Sequence, residues 1–146
     1  MKDKKLAVTA VSQAVVESSQ SGPLYSSQPA AGFPSPGDDL VEQPLDLNDL
    51  MIDNPTATFF VRVSGDSMEG AKIFDGDVLV VDRSVEVKPG LIVVAAVYGE
   101  LVVKRFKKLP AGLALVSEND GYKPILINDN EECYVWGVVI GSARVF

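Results

Sequence analysis

Two serines, a glycine and an aspartate interrupt apolar, strand-like sequence in VRVSGDSMEGAKIFDGDVLVV, residues 61–81. Ser67, held on a turn at the end of a strand, has the position of a nucleophile if some base takes its proton. The usual base is missing: the 146-residue chain contains no histidine, and Cys133 is its one cysteine. These counts exclude Ser-His-Asp and Cys-His catalysis and an internal disulfide, and they speak against a zinc site. No metal or cofactor is expected. Cys133, in NEECYVWGVV, reads as a packed thiol.

The remaining bases are carboxylates and lysine. A lysine serves only when its amine is neutral near pH 7, which requires desolvation. Of the nine lysines, Lys2, Lys4 and Lys5 lie near the N-terminus. Lys72, Lys88, Lys107, Lys108 and Lys123 lie in polar or turn-like surroundings. Lys104 differs. In ELVVKRFKK a period of two puts Val102, Lys104 and Phe106 on one strand face. A turn serine and such a lysine suggest a Ser–Lys dyad for acyl transfer, with the backbone N–H groups of Asp66 and Ser67 facing a developing oxyanion. Bland readings stand beside these. Ser, Gly and Asp dominate turns for conformational reasons, and a strand lysine commonly packs its stem and keeps its amine in water.

The elements that would position these residues read as β. Strand candidates lie at 58–63, 78–82, 91–98, 101–107, 113–116, 124–127 and 134–140, rich in β-branched and aromatic residues. Gly99-Glu100 reads as a two-residue hairpin loop. Leu45, Leu47, Leu50 and Met51 suggest a short helix ending before Pro55. Closely spaced strands without intervening helices predict a mostly antiparallel, curled or barrel-like β domain over residues 38–146. Residues 1–37 read as a flexible arm, mobile or laid over the domain. In 18–37, 15 of 20 residues are Ser, Gln, Gly or Pro, too polar to offset their ordering entropy. Residues 6–16 read as a weak short helix.

A net charge of −7 disfavours direct nucleic-acid binding and favours protein or peptide partners. No run of 18 apolar residues suggests a membrane span. The N-terminal stretch has a basic start, but Asp3, Ser12 and Gln13 make it a poor export signal.

SGDSM, FDGDVLVVDR and VVKRF together resemble the LexA/UmuD family of self-cleaving serine proteases. The likeness runs over about residues 31–140 and is nearly continuous from AGFPSPGDDLVEQ to SGDSM. It implies that Ser67 is the nucleophile and Lys104 the general base. It also implies self-cleavage at a small-residue–Gly bond upstream of the domain, here Ala31-Gly32, leaving residues 32–146. Glycine after the bond lets backbone approach a cleft closely, and the segment around it is poor in structure. Many family members carry threonine two residues before the lysine, where this chain has Val102. Arm and domain together look most like the UmuD-type members, since a Ser/Gln/Pro-rich arm cannot supply the basic helix-turn-helix of LexA-type repressors.

The resemblance further implies a cytoplasmic bacterial homodimer in the SOS response. Its cleavage would be activated by the RecA filament on single-stranded DNA. Its product would join a UmuC-like Y-family polymerase in translesion synthesis. Two alternatives stay open: a non-catalytic dimeric interaction module of the same fold, and a processing peptidase acting on other proteins.

Overall fold

The computed structural model describes residues 5–16, 21–25, 41–127 and 132–146. Among these residues, besides 3-10 turns at Pro55–Ala57 and Glu69–Ala71, ten strands and one short α-helix follow in chain order. They are β1 (Ala7–Gln13), β2 (Ser21–Tyr25), β3 (Val41–Asp46), α1 (Leu47–Met51), β4 (Thr58–Ser64), β5 (Val78–Asp82), β6 (Ile92–Val97), β7 (Glu100–Leu109), β8 (Gly112–Val116), β9 (Ile125–Leu126) and β10 (Cys133–Ala143). Eight form an antiparallel sheet in the order β1-β4-β5-β10-β6-β7-β8-β9, and β1 also pairs with β7. That extra pairing closes six strands into a barrel, from which β8 and β9 extend. β2 and β3 form a separate antiparallel pair. The mostly β, barrel-like fold expected from the sequence is the fold found.

The strands expected from β-branched runs all appear, with ends shifted by at most three residues and 78–82 unchanged. Period two sorts them into two cores. Val61 and Val63 of β4, Leu79 and Val81 of β5, Val94 of β6 and Val103 of β7 pack with Leu6, Met68 and Ile73. The alternate residues, Val93, Ala95, Val102 and Phe106, pack with Leu115 and Val138 on the other face. α1 forms where the leucines suggested, with the Asp46 carboxylate as its N-cap accepting from Asn48 N–H at 2.9 Å.

Three expectations are corrected. Residues 7–13 are a strand, where the sequence suggested a weak helix over 6–16. Val8, Thr9 and Val11 suit a strand, and pairing with the open edges of β4 and β7 outweighs the weak preference of so short a segment for helix. The hairpin loop is Tyr98-Gly99, not Gly99-Glu100, because Val97 pairs with Glu100. Both loop residues have positive φ, 49° and 81°, as a type I′ turn requires. Finally, Ser21–Tyr25 and Val41–Asp46 pair despite their polar, proline-containing sequences. Pairing partners distant in sequence override weak local propensity.

Candidate functional site

Ser67 follows the last residues of β4 on a turn that is tied down from several directions. Gly65 N–H donates to Asp75 Oδ1 at 2.9 Å. Ala71 N–H and Ile73 N–H both donate to the Met68 carbonyl, and the Met68 side chain is fully buried in the barrel core. The loop after β8 clamps the other side. Glu118 N–H donates to the Ser67 carbonyl at 2.8 Å, and Gly70 N–H donates to the Glu118 carbonyl at 2.6 Å. A Cβ at position 70 would lie 2.3 Å from that carbonyl oxygen, so this approach requires glycine. Asn119 Nδ2 donates to the Asp66 carbonyl at 2.8 Å, and the Tyr122 hydroxyl donates to Asp66 Oδ1 at 2.7 Å. The result is a rigid turn. Among the described residues, the N–H groups of Asp66 and Ser67 donate no backbone hydrogen bond.

Turn residues commonly lie open to solvent. Ser67 is instead wholly buried. The cause lies 61 residues away: Leu6 N–H donates to Ser67 Oγ at 2.7 Å, while the Leu6 carbonyl accepts from Val103 N–H at 3.0 Å. Ala7 pairs with Val102 beside it. The Leu6 peptide unit therefore joins the serine turn to β7, and its side chain fills the barrel core below.

Lys104 lies on β7 one residue past Val103. Its side chain is buried, on the face shared with Val102 and Phe106 that the alternation predicted. Burial pulls its amine below the usual lysine range, and the positive charge of Lys5 adds to the effect. Lys5, Val102, Lys104, Tyr122 and Ile125 line one cleft. The amine sits 5.3 Å from the centre of the Tyr122 ring and donates to Ser117 Oγ at 2.6 Å. Among the described residues, no carboxylate forms an ion pair with it; Lys5 is paired to Glu100, and Arg105 to Glu118.

The Leu6 peptide and the 117–118 loop each connect the Ser67 turn to β7 or its neighbours, but among the described residues no hydrogen bond joins Ser67 to Lys104: Ser67 Oγ accepts from Leu6 N–H, and the Lys104 amine donates to Ser117. The Ala31-Gly32 bond lies outside the described residues. Cys133 is buried and free, as its apolar context suggested. Among the described residues no cluster of His, Cys, Asp and Glu could hold a metal ion, and no helix is long and apolar enough to cross a membrane. Sequence reading missed Ser117, Tyr122 and Leu6. Ser117 in SEND looks like any turn serine, and Leu6 like any apolar residue of a weak segment; neither carries a local signal of its contact.

A model of the family described as peptidase S24-like matches residues 23–140. Protein MucA of Salmonella typhimurium is 43% identical over 120 residues, 82% of each chain. Protein ImpA of Escherichia coli is 43% identical over 118 residues, 80% of this chain and 79% of its own. A LexA repressor of Shewanella woodyi is 36% identical over 118 residues, covering 80% of this chain and 57% of the repressor. The resemblance drawn from SGDSM and VVKRF is borne out.

Proposed function

The chain belongs to the peptidase S24-like family, and from that premise we propose that it is a Ser–Lys peptidase that cuts its own Ala31-Gly32 bond. The observation that carries this reading is the buried Lys104 amine, unpaired with any described carboxylate and facing the loop that clamps Ser67. A structural lysine gains nothing from such a place, whereas a general base needs it.

On this reading the neutral Lys104 amine takes the Ser67 proton as Oγ attacks the Ala31 carbonyl carbon. The N–H groups of Asp66 and Ser67 face the resulting oxyanion. The Ala31–Gly32 C–N bond then breaks, and the Lys104 ammonium returns its proton to the departing Gly32 amine. A water, deprotonated by the same amine, attacks the Ser67 ester; the C–O bond breaks, the Lys104 ammonium returns the proton to Ser67 Oγ, and the Ala31 carboxylate is freed. The Leu6 peptide now occupies the space above Ser67, so it has to yield before the Ala31 carbonyl can enter.

The product, residues 32–146, acts as a homodimeric accessory subunit of a UmuC-like Y-family polymerase in translesion synthesis. The RecA filament on single-stranded DNA is the activator, and the setting is the bacterial cytoplasm. The family membership and the resemblance to UmuD-type members support these roles. The acidic balance of the chain agrees with a protein that meets DNA through protein partners.

Intact-mass measurement after alkaline incubation tests the reading. Wild type is expected to yield a fragment beginning at Gly32, and Ser67→Ala and Lys104→Ala are expected to stay whole. Wild type that resists cutting even with activated RecA filaments would favour the non-catalytic interaction module instead.

A further inference from the structure

We propose that Ser117 is the positioning residue of the Lys104 amine, supplying from the loop after β8 the orienting hydroxyl that Val102 does not provide on β7. The inference rests on the Ser–Lys reading above. Lysine ends a chain of four rotatable bonds, and a general base is effective only when its lone pair is aimed. A carboxylate would aim the amine but would also hold it charged. A hydroxyl oxygen aims it without adding charge: it accepts one N–H and leaves the lone pair of the neutral amine for the Ser67 proton.

The geometry meets this need. Lys104 Nζ donates to Ser117 Oγ at 2.6 Å. Ser117 is also fixed relative to the nucleophile, because the next residue, Glu118, holds the Ser67 carbonyl through its N–H and receives Gly70 N–H on its own carbonyl. A Cβ at Gly70 would lie 2.3 Å from the Glu118 carbonyl oxygen, so the close approach of that loop to the serine turn requires glycine there. Serine nucleophile, loop and lysine amine are therefore one connected unit. The charged and titratable groups around the amine are Lys5 with its partner Glu100, Lys123 and the Tyr122 ring; Arg105 is paired to Glu118.

The test is the rate of RecA-independent self-cleavage of the full chain against pH, followed by intact mass. Ser117→Ala is expected to lower the plateau rate at high pH about 10- to 100-fold, the scale of a misplaced catalytic group. Ser117→Thr, which keeps the hydroxyl, should recover most of the rate. So should the double variant Val102→Thr, Ser117→Ala, because residues 102 and 104 share a face and line the same cleft. Thermal melts of all three should stay close to wild type. A Ser117→Ala chain that cuts with the wild-type rate and pH profile overturns the inference, while Lys104→Ala remaining whole in the same series leaves the dyad standing. If Lys104→Ala is cut as wild type is, the dyad reading falls and takes this inference with it. A rate lost in Ser117→Ala and recovered by neither hydroxyl-bearing variant also overturns it, since the loss is then one of packing.

Discussion

Two regions of this barrel bury ionisable groups and treat them in opposite ways. At the ends of β5, Asp77 and Asp82 are almost fully enclosed yet held charged. Asp77 accepts two hydrogen bonds from the Arg144 guanidinium, at 2.7 and 2.9 Å, and one from Phe74 N–H at 2.9 Å. The Arg144 bonds lead in keeping its carboxyl below the usual range. For Asp82, burial alone would push the carboxyl up. Asn54 Nδ2 and the Ser84 hydroxyl and N–H, at 2.6 to 2.9 Å, together outweigh it. On β7, Lys104 is as buried but is given one neutral hydroxyl, and its proton is loosened. Burial with charge partners or several hydrogen bonds keeps a group charged; burial without an opposite charge loosens its proton. The coverings differ too. The aspartates are enclosed by loops and strands of the barrel, whereas the serine region is closed by Leu6, at the foot of the strand that would leave with the arm.

Three changes probe this contrast. Leu6→Ala should have the largest effect. It weakens the hold of β1 by about 2 kcal/mol, the low end for a buried leucine. Where opening limits the reaction, self-cleavage should then quicken about 30-fold. A slower or unchanged rate in a mass-resolved time course would show that β1 does not gate Ser67.

Asp82→Ala comes next. It strands the donors of Asn54 and Ser84 and should cost about 2 kcal/mol in denaturant unfolding at pH 7. Because the folded-state carboxyl is lowered from 3.8, its contribution is complete above that value and is lost as pH falls through the folded-state value. The gap between wild type and variant should therefore shrink in acid.

Lys104→Met is expected to do the reverse by about 1 kcal/mol, making the chain more stable at neutral pH while abolishing the cut. Between the lowered folded-state value and 10.5 the unfolded chain binds the extra proton, so wild-type stability rises with pH through that window. The variant's advantage should fade there. A constant difference from pH 7 to 11 would mean that the amine is not under desolvation strain.

Much of this was legible before any coordinates. The β4, β5, β6 and β7 segments carry enough β-branched residues to be read as strands, and alternation in ELVVKRFKK put Lys104 beside Val102 and Phe106. The absence of histidine narrowed the candidate bases, and the turn residues around Ser67 marked the junction. Those are local properties, set by propensity and period, and the sequence by itself determined them. Other features were decided by the tertiary structure alone. Residues 7–13 became a strand because β4 and β7 left an edge open. Ser67 was buried by a residue 61 positions away, and Lys104 found its hydroxyl at Ser117, across the β7–β8 hairpin. The first two depend on closure of the barrel through β1 and the third on the β7–β8 pairing, and both bring together groups whose types say nothing of one another. Periodicity tells which way a side chain points; only the closed sheet tells what it meets.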